Sequence, residues 1–206
     1  MNLTWLGHSC FLLESGGYRI LMDPYQNVPG LPDVHTAAEA VYCSHQHFDH
    51  AYLDGVRLTK EDIPNPFQVR TIPTFHDDQE GALRGTNTIH CFTAEGLTVV
   101  HLGDLGHPLS EEQVQAIEHC DVLLLPVGGT FTIDSAQAKV EAEKLHPTVI
   151  VPMHYRIHSR KKDIGFPELT TVEDFTKQMT PVISYPINTL PLPARPQVAV
   201  LSLPRF

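Results

Sequence analysis

A ten-residue stretch, Val41-Tyr42-Cys43-Ser44-His45-Gln46-His47-Phe48-Asp49-His50, constrains this chain more than any other, because it sets three imidazoles and a carboxylate within six positions. Residues two apart share a face in an extended chain but not in a helix, so His45 and His47 can converge on one ion only outside regular helix. The stretch is therefore read as a loop at the end of a strand. Asp49 continues the same alternation and His50 does not, so a turn near Phe48 would send this second pair toward a different ion. A lone buried histidine is usually a satisfied core residue, but no packing or capping need places four ligating groups in a row. Four donors then serve two metal ions, two each. A zinc site commonly takes three or four protein ligands, so the remaining ones must come from elsewhere in the chain.

Isolated candidates follow other apolar, β-like runs: His76 in Pro73-Thr74-Phe75-His76, Asp104 in His101-Leu102-Gly103-Asp104 and His154 in Val151-Pro152-Met153-His154. Upstream, Asp23 ends the run Ile20-Leu21-Met22-Asp23. An HxHxDH motif with these single downstream ligands resembles the metallo-β-lactamase superfamily, over roughly residues 2 to 155. The resemblance implies a metallo-β-lactamase-like α/β fold, an αβ/βα four-layer sandwich of two facing mixed sheets with outer helices. It also implies that one ion takes His45, His47 and His76, that the other takes Asp49, His50 and His154, and that Asp104 bridges them. Two divalent ions about 3.5 to 4 Å apart repel, and a shared carboxylate and hydroxide reduce that repulsion while leaving coordination positions open. Asp23 matches the aspartate that supports the loop carrying the histidines, where a ligating imidazole needs an acceptor for its other N–H. The runs Leu6-Gly7-His8-Ser9 and Glu80 to Asn87 are similar to the branch that includes L-ascorbate-6-phosphate lactonase. That likeness gives His8 a catalytic role beside Asp49, as a donor to the substrate or to the hydroxide.

Length admits one sizeable core, so a single domain over residues 1–206 is expected. The net charge of −10, from 24 acidic and 14 basic residues, argues against nucleic acid and anionic membranes as partners, since both select clustered Lys and Arg. A small-molecule substrate is the expected partner, and a homo-oligomer is compatible with the sequence. The cysteines Cys10, Cys43, Cys91 and Cys120 lack CxxC spacing and read as small buried hydrophobes. With no signal peptide or membrane span indicated, a cytoplasmic location is expected.

Strands are expected at 2–6, 10–13 and 18–22, the last two joined by a hairpin at Ser15-Gly16-Gly17, and again at 37–43, 67–72, 86–94 and 97–102. Ser110-Glu111-Glu112-Gln113 and Asp134-Ser135-Ala136-Gln137 are helix start signals. Each of these helices leads to a continuous apolar strand, at 122–125 and 148–151. A third helix is expected at 171–179. Residues 181–206 form a proline-rich tail packed with a final strand at 198–203.

The function implied is hydrolysis by a metal-bridging hydroxide, with two divalent ions as cofactors: zinc first, with manganese and iron suited to the same ligands. The substrate expected is a small anionic ester, lactone or phosphate-bearing metabolite. The basic segment Arg156 to Lys162 follows His154, which places Arg156 at the cleft mouth as a candidate to bind the anion, with Arg84 as a second. Alternatives are a phosphodiesterase or nuclease of the same superfamily, a di-iron redox protein, and a non-catalytic metal-binding protein. Redox relatives replace the second motif histidine by a carboxylate, whereas this chain has His47. Histidines 35, 90, 101, 107, 119, 146 and 158 receive no ligand role.

Overall fold

The computed structural model describes residues 1–59, 63–159 and 162–205. In chain order its elements are β1 (Asn2–Gly7), β2 (Cys10–Ser15), β3 (Tyr18–Met22), β4 (Thr36–Ala38), β5 (Ala40–Tyr42), β6 (Val56–Leu58), β7 (Gln68–Phe75), β8 (Thr86–Ala94), β9 (Leu97–His101), α1 (Glu111–Ile117), β10 (Val122–Pro126), α2 (Ser135–Leu145), β11 (Val149–Met153), α3 (Glu173–Thr176), β12 (Val182–Ser184), β13 (Thr189–Pro191) and β14 (Gln197–Val200). A five-stranded sheet runs β13-β1-β2-β3-β5 and a seven-stranded sheet runs β12-β14-β11-β10-β9-β8-β7, with β4 and β6 paired separately.

Strand alternation explains how the layers stack. Phe11, Leu13, Ile20 and Met22 belong to the main core, which on the facing side of the second sheet holds Phe92, Val99, Val122 and Leu124. The intervening Cys10 and Leu21 point the other way, into a smaller cluster closed by Tyr25, Val28, Val34 and Ala38. Every residue of β10 and β11 is buried, as strands covered on both faces require. The helices that contact a sheet, α1 at β7 and α2 at β10, pack on the larger one. The result is a mixed α/β fold of two facing sheets. Cys10, Cys91 and Cys120 are buried, Cys43 is half-buried, and all four are free thiols.

Local chemistry accounts for the boundaries. Gly16 (φ 58°) and Gly17 (φ 84°) supply the two positive φ values of a two-residue hairpin between Ser15 and Tyr18. Ser110 and Asp134 cap α1 and α2, each with a glutamine three residues on that completes a capping box. Among the described residues, no helix is long and apolar enough to cross a membrane.

Three expectations need correction. The strand expected at 37–43 is broken at Glu39 into β4 and β5, because the Glu39 carboxylate turns back to accept from Arg19 N (2.7 Å), Nε (3.1 Å) and Nη2 (2.8 Å) and from the Thr59 hydroxyl. The third helix shrinks to α3, whose N-cap position falls on Val172, a residue with no side-chain oxygen to cap it. The tail carries three strands rather than one: β12 and β14 extend the larger sheet, and β13 pairs with β1.

Glu39 is nearly inaccessible, with 3% of its side chain exposed. The Arg19 hydrogen bonds hold its carboxyl at about 2, against the opposing effect of burial. A depressed carboxylate contributes stability that is complete above its unfolded value and is lost as pH falls through the folded one. Glu39→Gln should therefore destabilise the protein by about 1–2 kcal/mol at pH 7, and the gap from wild type should narrow from about pH 4.5 toward pH 2. Urea denaturation at pH 7, 4 and 3 measures this; a gap independent of pH would show that the pair does not act through ionised Glu39.

Candidate metal centre

Each residue expected at or beside the metal centre lies just beyond the C-terminal end of a strand: His8 after β1, Asp23 after β3, the His45–His50 loop after β5, His76 after β7, Asp104 after β9 and His154 after β11. Parallel pairing of β3 with β5, of β9 with β10 and of β10 with β11 brings these ends to one edge of the sandwich. His8 (φ 50°), Asp23 (φ 47°) and His154 (φ 53°) adopt left-handed backbone, which turns the chain sharply as each strand stops. For non-glycine residues that conformation costs about 1–2 kcal/mol each. The His8 carbonyl accepts from the Trp5 indole (3.0 Å) and from His154 N–H (3.4 Å), joining the two sheets beneath the centre.

Asp23 organises the motif loop. Its Oδ1 accepts from Ser44 N (2.7 Å), and its Oδ2 takes the Ser44 hydroxyl (2.6 Å) and His50 Nδ1 (2.8 Å). Ser44 Oγ in turn lies 2.9 Å from His45 Nδ1. With the hydroxyl proton committed to Asp23, His45 Nδ1–H is the donor. One carboxylate thus fixes two imidazoles, one directly and one through a serine, and leaves the Nε2 of each free to ligate. Burial opposes ionisation of Asp23, but His101, His50 and Ser44 hold its carboxyl well below the usual range.

The donors form interlocking groups. His8, Asp49, His50 and His154 place ligand atoms within 4.8 Å of one another, as do His45, His47 and His76, and as do His45, His50 and Asp104. Asp104 Oδ2 lies 3.2 Å from His50 Nε2, 3.3 Å from His76 Nε2 and 3.1 Å from His154 Nε2. His45 Nε2, His50 Nε2, Asp104 Oδ1 and both ring nitrogens of His8 are buried without a hydrogen-bond partner among the described residues. So many unpaired buried polar atoms aimed at one place would be costly in a purely structural cluster, and they fit divalent cations. Burial depresses His45 to about 3 and His8 to about 4, so both are neutral at pH 7 with a lone pair to offer. His50 is raised: burial opposes its protonation, but the carboxylates of Asp104 and Asp23 override it. A positive charge is thus favoured at that point, as a divalent ion would supply.

Residues that sequence reasoning passed over hold the later ligands. Asn87 donates to Thr74 Oγ1 (2.8 Å) and Leu102 O (2.9 Å), and its Oδ1 accepts from Asp104 N (2.9 Å). Gly103 allows this approach, because a Cβ there would sit 2.3 Å from Asn87 Oδ1. Asp77, next to His76, accepts four backbone N–H groups, from Gln79 (2.8 Å), Gly81 (2.9 Å), Leu83 (3.0 Å) and Arg84 (2.7 Å). Its legible signal was an Asp followed by Gly81 and Gly85, the composition of a side-chain-stabilised turn. His101 is buried and supporting: its Nδ1 accepts from Gly103 N (3.0 Å), so its Nε2–H donates to Ser9 O (2.9 Å).

A cleft of about 480 Å³ opens over the donors, lined by His47, Asp49, His76, Asp104 and His154 together with Gln46, Phe48, Arg84, Phe131 and Phe166. Arg84, the second candidate for the anion, lines this cleft. Arg156 is not among its lining residues. Its guanidinium pairs with Asp163 and donates to Leu169 O (3.0 Å), and it lines a separate hollow with Trp5, Tyr155 and Glu173. The backbone of Arg156 pairs with Thr170 and Thr171, which carries the side chain away from the centre. Arg160 and Lys161 of the basic segment lie outside the described residues.

The two-sheet sandwich with converged histidines and carboxylates at one edge defines a metal-binding α/β sandwich. A family model described as the β-lactamase superfamily domain matches residues 2–154, and the chain belongs to the metallo-β-lactamase superfamily. It is 33% identical over 190 residues to a UPF0173 metal-dependent hydrolase from Methanosphaerula palustris, covering 75% of this chain and 84% of that one. The crystal structure of a proposed zinc-dependent hydrolase of the metallo-β-lactamase superfamily from Thermotoga maritima matches with a TM-score of 0.77 at 36% identity, over 98% of this chain and 99% of that one. Igni18, a metallo hydrolase from Ignicoccus hospitalis, shares the fold with a TM-score of 0.61 at 24% identity, over 86% and 89% of the two chains.

Because Asp23 orients two imidazoles, Asp23→Asn should weaken zinc affinity by about 10- to 100-fold while the far-ultraviolet circular dichroism stays native. Competition against a chromogenic chelator measures this. Wild-type affinity in the folded variant would remove Asp23 from the support of the centre.

Proposed function

We propose that the protein is a metal-dependent hydrolase holding two divalent cations and acting on a small anionic ester, lactone or phosphate-bearing metabolite. The observation that carries this reading is the position of Asp104, whose Oδ2 lies within 3.3 Å of histidines from both halves of the donor set. In this reading His45, His47 and His76 hold one ion, Asp49, His50 and His154 hold the other, and Asp104 is shared. Bound there, the ions supply Lewis acidity and water whose pKa is lowered to about 7. Zinc is the first choice, and manganese or iron suits the same donors.

The remaining roles fall to the chain's own groups. His8 Nε2 lies 3.3 Å from Asp49 Oδ2 without hydrogen-bond alignment, and its ring centroid is 4.3 Å from that of His154. His8 is buried and does not itself line the cleft, but as a neutral imidazole beside Asp49 it offers one N–H, and in this reading it donates to a substrate oxygen as the reacting bond breaks. Arg84 gives the cleft a cationic group for the substrate's anion.

Metal analysis of protein prepared under metal-replete conditions should approach two equivalents. Asp104→Ala should lower occupancy of both positions, and His154→Ala should mainly lower one. Protein that never exceeds one equivalent, or equal losses in the two variants, would contradict the shared carboxylate. His8→Ala should keep its metal and lose on the order of 10²-fold in kcat; loss of metal instead would make His8 a ligand rather than a donor.

A further inference from the structure

The cleft has a polar floor and an apolar wall. Phe48, 49% exposed between two of the donor residues, stands edge-on to Phe166, with ring centroids 6.3 Å apart and planes at 76°. Phe166 stands likewise to Phe131, at 6.3 Å and 83°. Arg84 continues the row, its guanidinium carbon 5.9 Å from the Phe131 centroid and its Nη2 donating to Thr130 O (3.3 Å). Neither Phe48 nor Phe131 belongs to either core cluster, so packing does not require an aromatic ring at either position. Among the described residues, Arg84 has no carboxylate partner, unlike Arg19, Arg70 and Arg156. The four N–H bonds to Asp77 fix the loop that presents it, and stacking on Phe131 restrains the guanidinium further.

Phe48, flanked by His47 and Asp49, thus begins a row that continues through Phe166 and Phe131 to Arg84, a cation with no carboxylate partner among the described residues. We infer that the substrate is an amphiphilic carboxylic ester or lactone: its scissile carbonyl sits at the donor groups, an apolar chain or ring lies along Phe48, Phe166 and Phe131, and a terminal carboxylate pairs with Arg84. A phosphorylated sugar lactone fits this wall poorly, because a polyol has little apolar surface to bury. The inference rests on the hydrolase reading for its reaction: water adds to the acyl carbon, the acyl C–O bond breaks, and the products are a carboxylate, an alcohol and a proton.

Two measurements on the metal-loaded protein test it. The first is kcat/KM for mono-4-nitrophenyl esters of succinate, adipate and suberate, beside neutral 4-nitrophenyl butyrate, hexanoate and octanoate. The second is calorimetric affinity for succinate, adipate and suberate themselves. Both should rise about fourfold per added methylene until the cleft is filled. Phe131→Ser and Phe48→Ser should flatten that rise, with metal content as the check on the centre. Arg84→Gln should lower kcat/KM and affinity for the carboxylate-bearing compounds about 10- to 100-fold more than it lowers kcat/KM for the neutral esters. Ester cleavage with no chain-length dependence, or equal effects of Arg84→Gln on charged and neutral esters, would overturn the inference and leave the hydrolase reading standing. Chain-dependent diacid binding with no ester cleaved would support the subsite and reject the ester hydrolase. Neither binding nor cleavage would overturn both.

Discussion

A single buried carboxylate, Asp23, underlies the geometry of this protein's site. It stands 1% exposed where β3 ends and converts the next strand end into a fixed loop by taking the Ser44 backbone, the Ser44 hydroxyl and His50 together. An ionised carboxylate in that position is sustained only by such donors, because desolvation works against it. The same bonds set which nitrogen of His45 and of His50 faces the other donors. Sheet pairing and site geometry are linked here, since Asp23 N also donates to Tyr42 O (3.0 Å) and so continues the pairing of β3 with β5 into the motif.

What could be read from the sequence follows how locally each feature is encoded. The motif loop was legible because the i, i+2 spacing of His45 and His47 excludes helix, and the hairpins and helix starts because their turn and capping residues act within a few positions. His76, Asp104 and His154 required the resemblance, since an isolated histidine after a strand says nothing alone. Supports such as Asn87 were not legible: its partners Thr74, Leu102 and Asp104 lie up to 17 positions away and meet only across the folded sheet. The expectation for Arg156 failed on direction. Adjacency to His154 in sequence placed its Cα near the cleft, but backbone pairing with Thr170 and Thr171 turns the side chain toward Asp163.

The broken strand at Glu39 has the same origin. Apolar character from Ala37 to Cys43 suggested one continuous element, and only the fold shows that Arg19 is close enough to draw the Glu39 side chain inward and split the run between two sheets. The phenylalanine wall likewise combines residues 48, 131 and 166, which no spacing rule connects. Chemistry common to the superfamily is written in the motif, whereas the features that distinguish this cleft arise from loops brought together by the sandwich.

The central claim is that the donor set closes around two ions that share Asp104. Anomalous diffraction from crystals of the zinc-loaded protein, recorded above and below the zinc edge, tests it most directly. The account predicts two peaks, one against His45, His47 and His76 and one against Asp49, His50 and His154, with the Asp104 carboxylate between them. A single peak, or two peaks with Asp104 bound to neither or to only one, would contradict it.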